Sequence, residues 1–228
     1  MTVAPRLVLA THNAHKLDEL RAILGPALPN LDPVSVVGAR DVGAPEPVED
    51  GVTFEANALL KARALARFTG LPAVADDSGL SVDVLGGAPG IFSARWAGRH
   101  GDDAANLALL LAQLADIGAE HRGARFTCAA ALVTPDGFEH VETGHLVGRL
   151  TDRPRGGGGF GYDPVLVPDG ETRTCAELTP GEKNAISHRG QAFRALVPVL
   201  VRVLRDGGPS RSTPDAGGPV AGTPDAGP

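Results

Sequence analysis

Pro72-Ala73-Val74-Ala75-Asp76-Asp77-Ser78-Gly79 joins an apolar run directly to two carboxylates, a hydroxyl and a glycine. The apolar part reads as a short buried strand, and Gly79 permits a tight turn just after it. Adjacent carboxylates at the mouth of such a strand repel each other and resist desolvation, and a nearby cation relieves both problems. Mg²⁺ is the natural candidate, since it is usually held by one or two carboxylates with phosphate oxygens beside them. A plain Asx-type turn, in which Asp76 and Asp77 bond only local backbone, is the competing reading.

On the N-terminal side, Arg6 to Ala10 reads as a first strand. Leu17, Leu20, Ile23 and Leu24 then mark a helical face that Gly25-Pro26 should stop. Val34 to Val37 reads as a short strand, and residues 38–52 as an acidic, Pro- and Gly-rich loop. Thr53 caps a helix with Phe54, Ala58, Ala62 and Leu65 on one face, ended by Gly70. On the C-terminal side, Leu80, Val82 and Val84 alternate with Ser81 and Asp83 as in a half-exposed strand. Asp102 opens a helix closed by Gly118. Phe126 to Val133 is apolar enough for a strand buried on both faces. Thr134-Pro135-Asp136-Gly137 turns it into a returning strand, Phe138 to Val147, and Pro164 to Val167 is another. Thr179-Pro180-Gly181-Glu182 has the spacing of a capping box. Phe193, Leu196, Val197, Leu200 and Leu204 form the face of a last helix, which Pro198 should kink or break.

The chain of 228 residues divides into residues 1–206, one catalytic-sized domain, and residues 207–228, a Gly/Pro-rich tail with too little apolar surface to offset its ordering entropy. A formal charge of −6 provides no global basic field for a nucleic-acid backbone, so phosphate chemistry needs local cations. Two cysteines without metal spacing point to a reducing, cytoplasmic setting, and no apolar stretch is long enough to span a membrane.

Local cations and amides do recur. Thr11-His12-Asn13-Ala14-His15-Lys16 sits between a strand and a helix, where backbone N–H groups, the Asn13 amide and the Lys16 ammonium can face a phosphate. It lacks the glycines of a Walker loop. Gly156 to Gly159 leads into Phe160-Gly161-Tyr162-Asp163, which offers uncovered amides, a stacking ring and an acceptor to a flat ligand. Lys183 can neutralise phosphate, and His188-Arg189 can read the polar edges of a base or ribose. Ser78 has no histidine base fixed beside it in sequence and Asp-Asp-Ser-Gly is not a nucleophile elbow, which argues against a serine hydrolase.

Together these segments resemble the noncanonical purine nucleoside triphosphate pyrophosphatases, the inosine/xanthosine triphosphate pyrophosphatase (ITPase) family. The likeness rests on Leu9 to Asn13 with Lys16 and Glu19, Thr53 to Ala58 with Lys61-Ala62, Ala75 to Leu80, Gly86 to Gly90 with Ser93-Ala94-Arg95, Gly159 to Pro164, and Glu177-Leu178 with Glu182-Lys183 and Ser187 to Gly190. Two positions depart from the family pattern: His12 stands where a small residue is common, and Glu49-Asp50-Gly51 where Glu-Glu-Thr-Gly is common. The resemblance implies an α/β fold, elongated and two-lobed around a long mixed twisted sheet with an interlobe cleft, and a homodimer. It implies hydrolysis of ITP, dITP and XTP to the monophosphate and pyrophosphate. Thr11 to Lys16 would hold the triphosphate, Asp77 with Glu49 would hold Mg²⁺, and Asp77 would accept a proton from the attacking water. Asp77 cannot do both through one lone pair, so its second oxygen or a water on the metal takes one of the jobs. Ser78 would contact the substrate, and Phe160, Gly161, Tyr162, Asp163, Lys183, His188 and Arg189 would bind base and phosphate. A Maf-like pyrophosphatase of modified pyrimidine nucleotides and a noncatalytic nucleotide-binding module are the alternatives. The Phe-Gly-Tyr-Asp and Ser-His-Arg segments oppose the first, and Asp76-Asp77 the second.

Overall fold

The computed structural model describes residues 4, 6–11, 14–27, 29 and 31–206, and of residues 14–16 and 19 only the backbone. The expected tail lies outside the described residues. Among the described residues six strands form one mixed sheet in the order β2-β1-β3-β4-β5-β6. Strands β1 (Leu7–Leu9), β2 (Val36–Gly38) and β3 (Ala73–Val82) run parallel. Strands β4 (Gly123–Val133), β5 (Glu139–Leu150) and β6 (Leu166–Pro168) continue the sheet antiparallel from β3. Helices α1 (Ala14–Ala27), α2 (Phe54–Thr69), α3 (Asp103–Gln113), α4 (Pro180–Ile186) and α5 (His188–Asp206) cover it.

Side-chain alternation decides which helix covers which face. Leu7, Leu9, Val74, Cys128, Ala130 and Leu132 pack with Leu20 and Leu24 of α1 and Phe193, Leu196 and Leu200 of α5. The intervening Val8, Ala73, Ala75, Ala129, Ala131 and Val133 pack with Ala58, Ala62 and Leu65 of α2. A separate core surrounds Leu80, Val82, Ala124, Phe126 and Leu146 with Leu110 and Leu114 near α3. The polar stretch Asp76 to Gly79 is the part of β3 that lies between these cores. It interrupts apolar packing because it borders a cleft.

Several sequence expectations need correction here. β3 does not turn at Gly79; it pairs with β4 without interruption, Asp77 facing Ala129 and Gly79 facing Thr127. Glycine is required there by close approach: a Cβ would lie 2.5 Å from Ser93 Oγ and 2.6 Å from the Gly90 carbonyl oxygen. Leu80 and Val82 are fully buried and Ser81 nearly so, because the loop before Gly90 covers the strand, with Ser81 bridging Pro89. Val84 leaves the sheet in a 3₁₀ turn. α1 passes through Gly25-Pro26 to Ala27, and α5 runs unbroken through Pro198. Pro198 and Arg194, whose carbonyl loses its helical partner, are both exposed, so water can satisfy that carbonyl. The caps behave as read except at the end of α3, which stops at Gln113 with Leu114 as its C-cap, short of the expected Gly118. Thr53 accepts from Ala56 N, Gly70 closes α2 in the left-handed region, and Thr179 and Glu182 form the capping box. The bonds from Thr179 and Arg173 hold the pKa of the Glu182 carboxyl down to about 2.

The start of α5 presses on the sheet at Gly144, where a Cβ would stand 2.1 Å from the His188 carbonyl oxygen and 2.8 Å from Ala192 N. Backbone cannot yield as a flexible side chain would. Gly144→Ala is expected to cost about 1–3 kcal/mol, the usual penalty of overpacking, and to displace the helix end that carries His188 and Arg189. Urea unfolding checks it; a loss under about 0.5 kcal/mol would show that the helix gives way freely.

Candidate active site

Asp76 and Asp77 are adjacent in sequence but point to opposite faces of the sheet. Asp76, 1% exposed, shares the face of Val74 and meets α5. Arg189 Nε donates to Asp76 Oδ2 at 3.2 Å, and Arg189 Nη2 to Ser78 Oγ at 3.4 Å. Asp77 meets α2 instead. Asn57 Nδ2 donates to Asp77 Oδ2 at 3.1 Å, and the Lys61 ammonium to Asp77 Oδ1 at 3.4 Å. Asn57 and Lys61 stand four apart on one helix face, which brings both to one carboxylate. Lys61 also lies 3.0 Å from Glu49 Oε1. Gly51 N donates to Asn57 Oδ1 at 2.8 Å, fastening the acidic loop to α2. The expectation of two carboxylates needing one shared cation is therefore replaced: each has its own, Arg189 on one face and Lys61 on the other.

Burial pushes the Asp77 carboxyl above the ordinary aspartate range, and the charges of Glu49 and Asp76 add to the push against Lys61 and Asn57. Burial alone would lower Lys61, but Asp77, Asp76 and Glu49 together outweigh it and keep the ammonium above its ordinary value. A carboxylate that is hard to ionise but held in place beside a cleft has the profile of a proton acceptor.

One pocket opens beside this centre, lined by Ser78, Phe126, Phe160 to Asp163, Lys183, Asn184 and Ser187 to Arg189. The exposed Phe160 ring lies 5.2 Å from the Lys183 ammonium and 5.9 Å from the Arg189 guanidinium carbon. His188 stacks on Phe126 with centroids 5.0 Å apart. Lys183 reaches Asp163 Oδ2 at 2.5 Å, so α4 starts as part of the site rather than as a solvated helix. The glycine-rich loop is not a linker: Phe160 N donates to Asp163 Oδ2 at 2.8 Å and Gly161 N to Asp103 Oδ2 at 2.9 Å. Those two amides are engaged within the protein, so the loop presents its aromatic ring to the pocket rather than these amide donors. Tyr162 turns inward and donates to the Ser93 carbonyl at 2.9 Å; burial pushes its phenol well above the ordinary range.

A polar cleft continues from this pocket past Thr11, Glu46, Glu49, Lys61, Asp76, Asp77, Arg95 and His100. Ser78, Ala94, Phe160 and Arg189 line both parts. Thr11, 8% exposed, reaches the cleft from the end of β1. His12 and Asn13 lie outside the described residues, as do the side chains of Ala14, His15 and Lys16, whose backbone opens α1. The sequence reading gave no role to Asn57, Lys61, Asp103 or Arg95. The i,i+4 polar pair on the apolar face of α2 was the available signal for the first two. Nothing local marks Asp103, which reaches Gly161 across 58 positions of sequence.

No group of three or more His, Cys, Asp or Glu among the described residues could hold a metal ion. Glu49 and Asp77 do converge on one cation, the Lys61 ammonium, and so mark a position that two carboxylates can serve together. That oxygen donor set suits Mg²⁺, which takes few protein ligands and completes its shell with phosphate and water.

Residues 7–199 match the Ham1 family. The chain is 69% identical to the dITP/XTP pyrophosphatase of Streptomyces coelicolor over 87% of its own length and 98% of that protein. The crystal structure of a nucleoside-triphosphatase / dITP/XTP pyrophosphatase from Mycobacterium abscessus superimposes with a TM-score of 0.71 at 54% identity, covering 85% of this chain and 99% of that one. A HAM1 protein from Coxiella burnetii superimposes with a TM-score of 0.78 at 40% identity, covering 87% of this chain and 99% of that one. With the sheet, the cleft and nearly the full length of these relatives in common, the chain belongs to the Ham1 family.

Proposed function

We propose that this protein hydrolyses noncanonical purine nucleoside triphosphates, dITP, ITP and XTP, to the monophosphate and pyrophosphate. The observation that carries the reading is the junction at Ser78, Phe160 and Arg189, shared by the aromatic pocket and the acidic cleft. A purine stacked on Phe160 directs its phosphates toward Asp77 and Glu49. The relatives named dITP/XTP pyrophosphatases agree with that class of substrate.

The chemistry follows from the placement of groups. Water attacks the α-phosphorus, and the bond to the bridging oxygen breaks with its electron pair leaving on pyrophosphate. Asp77 takes the proton from the water. Asn57 and Lys61 hold the carboxylate in position, and Lys61 offsets the charge on it. Thr11 and the start of α1 receive the triphosphate. Glu49 and Asp77 would hold Mg²⁺, which when bound neutralises phosphate charge and polarises the phosphoryl oxygens. Ser78 and Arg189 stand at the ribose and α-phosphate, and Lys183 and His188 at the base.

Selectivity for a 6-oxo purine over adenine is the expected outcome. Phe160 and Gly161 amides are engaged elsewhere, so the readers of the base edge are Lys183 and His188. A pocket that donates to O6 rejects the 6-amino group, which leaves those donors unpaired. Pyrophosphate release from ITP in Mg²⁺, with ATP, dTTP and UTP as comparators, tests substrate class and reaction together. Comparable kcat/KM for ATP and ITP would refute the pocket assignment, and a preference for the pyrimidines would favour the Maf-like alternative.

The family also supports a homodimer in the cytoplasm. Both cysteines are buried without a disulfide, as a reducing compartment allows, and no described helix is long and apolar enough to cross a membrane. Light scattering at micromolar concentration is expected to give about twice the 23.3 kDa chain mass. A fully active monomer would refute the assembly.

A further inference from the structure

A cleft that receives a triphosphate needs positive charge, and among the described residues most of that charge is already committed. Lys61 is bound between Glu49 and Asp77, Arg189 to Asp76, and Lys183 to Asp163 in the neighbouring pocket. Glu46 adds a further carboxylate to the cleft. Among the described residues Arg95 is different. It lines the phosphate half of the cleft and not the base pocket, and no described carboxylate lies within ion-pair distance of it. Its guanidinium instead lies over the Phe92 ring, 5.4 Å from the centroid. Such stacking leaves the five N–H donors in the guanidinium plane available to phosphate oxygens.

The backbone that carries Arg95 is held from several sides. It ends a 3₁₀ segment, Gly90–Arg95, packed against β3 where Gly79 permits close approach. Ser93 Oγ accepts from Leu80 N at 2.9 Å, and the Ser93 carbonyl accepts from Tyr162 Oη at 2.9 Å. Asn106 donates to the Ala94 carbonyl at 3.2 Å and accepts from Ala97 N at 2.7 Å, holding the chain before and after Arg95. A cation on a pinned segment, steadied by an aromatic face, is pre-organised rather than merely solvated.

We propose that Arg95 binds the β- and γ-phosphates of the substrate and stabilises the pyrophosphate as it leaves. This rests on the hydrolytic reading above. Arg189 and Ser78 already stand at the junction that the α-phosphate must occupy, so the two terminal phosphates extend beyond them into the cleft that Arg95 lines together with Thr11. Negative charge grows on the pyrophosphate as the phosphorus–oxygen bond breaks, so a guanidinium there gains in the transition state.

Inorganic pyrophosphate and IMP, the two products, separate the roles. With the full-length protein in Mg²⁺ and physiological salt, Arg95→Gln is expected to raise the inhibition constant of pyrophosphate about tenfold or more, the size of a lost charge-assisted contact. The inhibition constant of IMP is expected to stay within about twofold, and kcat for ITP to fall with the loss of leaving-group stabilisation. Arg99→Gln removes the same charge from an exposed neighbour that does not line the cleft, and is expected to leave both inhibition constants unchanged. Unchanged pyrophosphate inhibition in Arg95→Gln, equal weakening of IMP, or an equal effect of Arg99→Gln would overturn the inference alone. Orthophosphate rather than pyrophosphate released by the wild-type protein would overturn the hydrolytic reading, and this inference with it.

Discussion

Arg189→Met is expected to destabilise the protein by about 3–5 kcal/mol, the cost of removing one partner of a buried ion pair. The Asp76 side chain is fully buried and the Arg189 side chain only 10% exposed, with nitrogen and oxygen 3.2 Å apart. Taking away the guanidinium leaves a carboxylate inside the sheet without the charge that offset its desolvation. For a chain of this length the melting temperature should fall on the order of 10 °C. Asp76→Asn in the Arg189→Met background removes the stranded charge, so the double variant should recover part of the loss. Thermal or urea unfolding of the two single variants and the double variant gives the coupling directly. A single-variant loss under about 1 kcal/mol would mean that water reaches the pair and that its energetics are those of a surface bridge. The double variant should still lack activity, because Arg189 also touches Ser78 at the cleft junction. Recovered stability without recovered turnover is what separates a site residue from a core residue.

This pair also shows where sequence reasoning stopped. Asp76 read as the mouth of a short strand that turns just after Gly79, because glycine after polar residues usually marks a turn. The structure has the glycine for a different reason, the approach of Ser93 and the Gly90 carbonyl to a continuous strand. Local pattern cannot distinguish these two uses of glycine, since the atoms that demand it lie more than ten positions away. The apolar strands, the caps at Thr53, Gly70 and Thr179, and the hairpin after Val133 were legible because neighbours in sequence determine them. The split of Asp76 and Asp77 between α5 and α2 follows from strand alternation, but only once the strand is known to continue. The partners of each carboxylate, Arg189 at a separation of 113 residues and Lys61 at 16, are set by how helices dock on the sheet. The glycine tract was legible as an ordered loop rather than a linker because Phe160 and Tyr162 are poor linker residues. That Phe160 faces the pocket while Tyr162 is buried depends on the positive φ of Gly159 and Gly161, and on the Asp163 carboxylate that the Phe160 amide finds.

Asp77→Asn is expected to lower kcat for ITP by a factor on the order of 10² or more, the usual size of a general-base contribution. The amide keeps the shape and still accepts from Asn57, but it neither takes a proton from water nor offers a full charge to Mg²⁺. Folding is expected to respond in the opposite sense. Burial raises the Asp77 carboxyl above its ordinary range in the folded state. Such a group stabilises the fold while protonated, below the unfolded value of about 4, and loses that contribution as pH rises through the folded value. At neutral pH the ionised carboxylate is therefore a cost, and Asn removes it. Lys61 loses one partner in the variant but keeps Glu49 at 3.0 Å, so its ammonium is not stranded. Without metal, Asp77→Asn should melt no lower than wild type at pH 7, with the difference closing as the pH falls below about 4. The two measurements together distinguish the explanations. Lost turnover with lost stability would mean that Asp77 is a structural partner of Asn57 and Lys61. Near-normal turnover at saturating Mg²⁺ would remove Asp77 from the chemistry altogether. Lost turnover with retained or increased stability is the combination expected of a carboxylate kept in an unfavourable place for the reaction it performs.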